Sequence, residues 1–416
     1  MKKYSGYDYL CIDIANAYGL DKELFENRIL WVKININDLE ALTVDVKLKD
    51  QPLYRKAVMA LRKTQAGIPV GHMMGLDACN SGMQIMSALT GCVIGAANTG
   101  MVNPNERSDA YGKLTQIMTG ILGLTSTVTR EEAKQALMTH YYGSKAEPKA
   151  LFGEDTPDLA AFYNASQQLA PGASDLLQEL LDSWQAYALL HSWKLPDGFD
   201  ARVKVMEKVD ARIEVDELDH ASFSYEFYEN KGSKKGLSNV ANVVHSVDAY
   251  VLRSMHRRCN YDKAIVEMAV NNIKFEKKSR AKPCGEIPLF AIDPKVKYYI
   301  DQYNRSTMAD VVILPYLKNG QTMFLSDKHL DSLLDIAESM LAHKPFPLVT
   351  VHDEFKAHPN NLNAVRQHYI NIFAELADSD LLSDLMRQVH KVTSGKVTKL
   401  SNNLGALIRQ SEYALS

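Results

Sequence analysis

Several acids, cations and aromatics of this chain stand at spacings that chemistry can use. The run Leu348-Val349-Thr350-Val351 is apolar and β-branched, and it breaks at once into His352, Asp353 and Glu354. A carboxylate at the tip of a buried strand is costly, because an unsatisfied polar group alone costs roughly 2–7 kcal/mol and a charge more. A β-turn in which Asp bonds its own backbone is one compensation; a bound metal ion is the other. A second strand-like stretch, Met73-Met74-Gly75-Leu76, ends in Asp77. Phosphoryl and nucleotidyl transfer use two divalent ions about 3.5–4 Å apart, and magnesium takes only one or two protein carboxylates. Asp77 and Asp353 are 276 positions apart, so only a fold can bring them together.

A third constellation begins at Thr129-Arg130-Glu131-Glu132, where Thr129 and Glu132 form a capping box and the acids suit the positive helix end. Arg130, Lys134, Met138 and Tyr142 follow at intervals of four. Each step turns only about 40° around a helix, which makes one slowly drifting stripe. A nucleoside triphosphate would lay its phosphates on Arg130 and Lys134 and its sugar and base near Tyr142. An ordinary solvated helix with i,i+4 charges is the alternative. Gly143 is the expected C-cap.

The elements that must position these groups are mostly helical. Helix is expected over 7–65, 83–93, a stretch after Pro104, 130–142, most of 155–215 with a break at 196–198, 239–258, 328–343 and 361–391. Residues 228–238 read as a polar, basic loop, 274–304 as rich in Lys, Pro and Asp, and Asp310-Val311-Val312-Ile313-Leu314 as a strand. Few, irregularly spaced strands among many helices give an α+β class.

Composition bounds the rest. The chain has 416 residues, 46% of them hydrophobic, enough for one large core or two or three smaller ones. A net charge of −3 does not mark the whole chain as a nucleic-acid binder, although basic residues can be confined to a channel. Cys11, Cys79, Cys92, Cys259 and Cys284 are scattered without a C-x-x-C pair, which argues against a zinc site and a disulfide framework and suits a reducing cytoplasm. Tyr4, Asp8 and Asp13 interrupt any signal-peptide core, and no apolar run is long enough to span a bilayer. His191 and His220 read as structural or surface groups.

At this level of detail the sequence resembles the single-subunit RNA polymerases of the phage T7 and mitochondrial type. Residues 130–145, REEAKQALMTHYYGSK, are similar to motif B of that family; 75–89, GLDACNSGMQIMSAL, to motif A; and 351–355, VHDEF, to motif C. Residues 241–253, ANVVHSVDAYVLR, resemble the segment ahead of motif C, residues 6–32 the segment upstream of motif A, and the final SEYALS the aromatic C-terminal end of the phage enzymes.

The resemblance implies a right-hand polymerase with an antiparallel palm sheet and fingers. Residues 1–90 would hold a palm-associated segment and motif A, 91–245 the fingers, and 246–416 the palm with motif C and an insertion at about 260–345. It also implies roles. Asp77 and Asp353 would bind two magnesium ions, with the Ala78 carbonyl as a further ligand. Arg130 and Lys134 would hold the triphosphate, and Lys134 would also protonate the leaving group. Tyr142 and His245 would sense the ribose 2′-hydroxyl, and His352 would support the primer end.

The departures carry as much information. The cation that follows the motif B lysine in the family is Gln135 here. The insertion separates two segments that lie close together in the phage T7 type. Its Lys274, Lys277, Lys278, Arg280 and Lys282 would either touch a nucleic-acid backbone or form a solvated loop. No Gly-Arg dipeptide occurs, so the Asp-x-x-Gly-Arg motif, like the N-terminal domain and thumb, has no counterpart. A second subunit carrying that half is therefore expected, an arrangement that resembles the heterodimeric polymerases of N4-like bacteriophages. DNA template, RNA transcript, NTPs and a DNA-opening or single-strand-binding factor would be the other partners, in the cytoplasm of the infected bacterial host. A primase or DNA polymerase-like enzyme and a non-catalytic scaffold subunit are the alternatives. Against the DNA polymerase reading, Met138 stands where family A DNA polymerases place an aromatic.

Overall fold

The computed structural model describes residues 1–123, 127–234, 236, 238–281 and 291–416. Lys282 and Cys284 lie outside them. The described chain is helix-rich α+β, with one three-stranded sheet and two hairpins.

The sheet is small and entirely antiparallel. β1 (Met74–Asp77) pairs with β7 (Glu354–Ala357), which pairs with β6 (Val349–Val351), in the order β1-β7-β6. Register places Leu76 opposite Phe355 and Asp77 opposite Glu354. Leu76 and Phe355 are buried, so the period-two alternation of a strand sends the neighbouring Asp77 to the opposite face.

Three residues separate β1 from the Ser81–Thr90 helix, which is buried at every position and capped by Asn80, whose side chain accepts from the Met83 N–H. It packs against the Pro171–Asp182, Ser238–Cys259 and Leu362–Asp378 helices. Gln84 is buried there without penalty because its polar atoms are paired. Its amide donates to the carbonyls of Thr99 and Ala414, and its oxygen accepts from the Tyr369 hydroxyl at 2.6 Å.

One large hydrophobic core runs from Tyr4 to Leu415. A second, separate cluster is built only from residues 266–340, including Val266, Ile273, Ile313, Leu333 and Met340, with the Lys263–Arg280 and Asp327–Leu341 helices packed together. The segment read as an insertion thus has its own apolar centre.

Four expectations about local structure are corrected. The span 155–215 is helical only at Pro157–Leu169 and Pro171–Asp182; it continues as β2 (Leu190–Lys194), β3 (Asp200–Lys204) and β4 (Met206–Val215). β2 pairs with β3 across the 196–198 break, where Asp197 accepts from Arg253, and Trp193 donates to Ser246 at 2.9 Å. β4 pairs over its whole length with β5 (Ala221–Asn230), so the first three residues of the supposed 228–238 loop, Tyr228, Glu229 and Asn230, are the paired end of a strand. Residues Val311–Tyr316 form a 3₁₀ turn rather than a strand, because Asp310 caps Val312 N–H and Pro315 removes a ladder donor. The expected 361–391 helix is two helices, Leu362–Asp378 and Leu381–His390.

Candidate active site

The β6–β7 hairpin turns on two residues, His352 and Asp353, and so sets Asp353 at its tip. His352 has φ 54°, in the left-handed region that side chains disfavour. Because Asp77 opposes Glu354, the first residue of β7, both aspartates stand at the same end of the sheet. They line one cleft of about 1090 Å³ together with Lys134, Tyr142, His245 and His352.

The cleft concentrates negative charge. Asp77 is pushed up to about 6 by burial and then by the charges of Asp353 and Glu354. Asp248 is also pushed up to about 6, first by burial and then by Asp353, with His352 acting in the opposite sense. Asp248 and His245 are three residues apart on the Ser238–Cys259 helix and both face the cleft. Ala78 N–H bonds the Asp77 carboxylate. Beside it, an antiparallel bridge joins Ala78 and Leu415 through the bond from Ser416 N–H to the Asp77 carbonyl at 3.0 Å, which leaves the Ala78 carbonyl outside that bond.

Such a donor set fits hard divalent cations, which take carboxylate and carbonyl oxygens. The shifts of Asp77 and Asp248 are those of acids crowded without enough compensating charge, which is what a cation would supply. A different group, Glu214, Asp216 and His220, lies within 4.8 Å of one another around the β4–β5 turn. All three are exposed, and His220 Nδ1 is 3.0 Å from Glu214 and 3.2 Å from Asp216, an arrangement an ion pair explains.

The Arg130–His140 helix starts with the expected capping box, Thr129 Oγ1 accepting from Glu132 N–H and Thr129 N–H donating to Glu132. It ends two residues short of Tyr142, the last member of the stripe. Gly143, at φ 88°, closes it, and Tyr142 lies in that turn, reaching the cleft alongside Lys134 and Met138. The Tyr142 ring meets His245 edge-on, with centroids 4.6 Å apart. It also packs over Gly82, where an added Cβ would stand 3.0 Å from its Cζ and Oη. Burial raises the Tyr142 phenol, and a hydrogen bond with Ser81 opposes that rise. Partial burial lowers His245, which favours the neutral form of its ring.

Arg130 is placed differently from its stripe neighbours. It is not among the residues that line the cleft; Nε and Nη2 donate to Asp109 at 2.7 and 2.8 Å. The Lys134 side chain makes no hydrogen bond or ion pair among the described residues. Asp248, Glu354 and Arg107 belong to the cleft and escape sequence reasoning. For Asp248 the signal was present, three positions after His245 on a helix; for Arg107, in an irregular loop, no local pattern existed. The basic stretch 274–280 is largely neutralised within the chain: Lys274 pairs with Glu338, Lys277 with Asp331, and Arg280 with Glu276 and Asp327.

A family model described as DNA-dependent RNA polymerase matches residues 2–148. The matched segment contains Asp77, Arg130, Lys134 and Tyr142, and the class of enzyme it implies is a nucleotidyltransferase. His245, His352 and Asp353 lie beyond the match and join it only in three dimensions. Comparison with curated proteins gives no match. Among the described residues no helix is long and apolar enough to cross a membrane.

Proposed function

We propose that this chain is the catalytic subunit of a phage DNA-directed RNA polymerase of the T7-like type, working with a second subunit. It would add nucleotides from NTPs to an RNA 3′-hydroxyl on a DNA template. One observation carries the reading: two aspartates 276 positions apart meet at one end of a single sheet, in a cleft that also receives Lys134, Tyr142 and His245.

In this reading Asp77 and Asp353 hold two magnesium ions, with the Ala78 carbonyl as a further ligand. Bound there, the ions supply charge neutralisation at the attacking and leaving oxygens of an in-line displacement. Lys134, which has no anionic partner among the described residues, binds the triphosphate and stands ready to give a proton to the departing pyrophosphate. Tyr142 and His245, edge to face, form the wall that reads the ribose 2′-hydroxyl; a neutral His245 both donates and accepts there. His352, strained at the hairpin tip next to Asp353, supports the primer end. Exposed Leu30, Ile34, Val44, Leu48 and Ile68 in the first seventy residues support a partner subunit on that side.

The test is primer extension on a DNA template with the chain and its co-purifying partner. NTPs are incorporated in preference to dNTPs, and Asp353→Asn reduces extension by at least about a hundredfold. Preference for dNTPs would replace the reading by a DNA polymerase, and full activity of Asp353→Asn by a scaffold.

A further inference from the structure

The polymerase reading leaves a charge in the cleft unused. Sequence spacing points to Arg130 and Lys134 as the pair that would grip a triphosphate. Arg130, however, already spends two donors of its guanidinium fork on Asp109, and its cation lies 5.6 Å from the Tyr111 ring centre. Gln135, at the position where a cation is expected, is exposed and donates to Glu147 instead. On these two counts the triphosphate has lost two cations.

Arg107 supplies one. It sits on the loop that leads into the Ala110–Leu122 helix and lines the cleft with Asp77 and Lys134. Its Nε is shielded from solvent and has no hydrogen-bond partner, and among the described residues Arg107 forms no ion pair. A buried guanidinium donor is seldom left unmatched. Arginine presents five donors in a rigid fork suited to phosphate. The charge of Arg107 acts on Asp77 from within the cleft, yet bonds none of its carboxylates. Two residues downstream is Asp109, the acid that Arg130 grips, so the Arg130–Asp109 pair fixes the loop that carries Arg107.

Resting on that reading, we propose that Arg107 is the second polyphosphate-binding cation of the cleft, beside Lys134, and that Arg130 is a positioning residue acting through Asp109. The ligand class is the triphosphate of the incoming nucleotide or the pyrophosphate it releases. A lone ribose offers that forked donor set no anionic oxygens to bind.

The experiment is equilibrium binding of ATP and AMP to the full chain with Mg2+ present, alongside NTP-dependent primer extension. Arg107→Ala weakens ATP by about tenfold to a hundredfold, the loss of one or two charge-assisted bonds, and leaves AMP unchanged. In extension, KM for NTP rises more than kcat falls, and Arg107→Lys recovers part of the loss. Arg107→Gln, which retains length and polarity, serves if the alanine variant does not fold. A purely structural Arg107 would weaken ATP and AMP alike; that result, or ATP binding within about twofold of wild type, overturns the assignment. These failures are separable from failure of the reading beneath. A wild-type chain that extends primers while Arg107→Ala matches it removes only Arg107, whereas a wild-type chain that neither extends nor binds ATP removes both.

Discussion

Acidification should detach divalent cations from the cleft at a pH where ordinary aspartates still bind them. Asp77 is pushed up to about 6 by burial, Asp353 and Glu354, and Asp248 to about 6 by burial and Asp353. A carboxylate must be ionised to act as a ligand. With a value of about 6, Asp77 is roughly nine-tenths ionised at pH 7 and roughly one-tenth at pH 5, so cation affinity falls about tenfold over that interval. An aspartate at the ordinary 3.8 would lose less than about a tenth of its charge by pH 5. Isothermal titration with Mn2+ from pH 5 to 8 reads the difference directly. Glu354→Gln removes one of the raising charges without removing a proposed ligand, and it moves the midpoint to lower pH. The cation-free protein shows the same coupling as stability. Both acids lie above their unfolded value, so the fold disfavours their charged forms. The resulting destabilisation is complete above about pH 6 and disappears as pH falls toward 3.8. Cleft water screens Asp77, which keeps this effect small, and an Asp77→Asn, Asp248→Asn double variant isolates it. An affinity that is flat between pH 7 and pH 5 refutes the reasoning.

Three further outcomes follow from the geometry. Tyr142→Phe removes the hydroxyl from the wall shared with His245 and lowers the preference for NTP over dNTP by about tenfold or more, measured by competitive primer extension; an unchanged ratio excludes Tyr142 as the sensor. Gly82→Ala places a methyl against the Tyr142 ring, raises KM for NTP several-fold and costs about 1–3 kcal/mol in urea unfolding. Glu375→Gln deprives the fully buried Arg258 of the carboxylate that its Nη1 and Nη2 reach at 2.8 and 2.5 Å, and it lowers unfolding free energy by about 3–5 kcal/mol. A Glu375→Leu, Arg258→Met pair recovers most of that loss.

Local chemistry was legible in this sequence, and long-range context was not. The Thr129–Glu132 capping box is a reciprocal bond over three residues, so it is written in the sequence and present in the fold. Asp353 announced itself through the abrupt end of an apolar run, and the hairpin places it at the tip. The β4–β5 hairpin was missed although its period-two pattern is present: Val209, Ala211, Ile213 and Val215 alternate with Lys208, Asp210, Arg212 and Glu214, while both faces of the hairpin stay largely exposed. Val311–Tyr316 shows the reverse failure, where a β-branched run reads as strand although the Asp310 cap and Pro315 curl it into a turn. The departure of Arg130 from its stripe depends on Asp109, twenty-one residues upstream, which no helical spacing could reveal.

The pairing of β1 with β7 has a consequence for synthesis. When β1 leaves the ribosome its backbone groups have no sheet to join, and the partner strand begins 277 positions after β1 ends. At about 5–20 residues per second that wait is roughly 14–55 s. Throughout it, the growing chain carries an orphan strand and a lone acid with no counterpart. The centre is therefore born whole and late, and a ribosome that stalls before the hairpin releases a polypeptide without it.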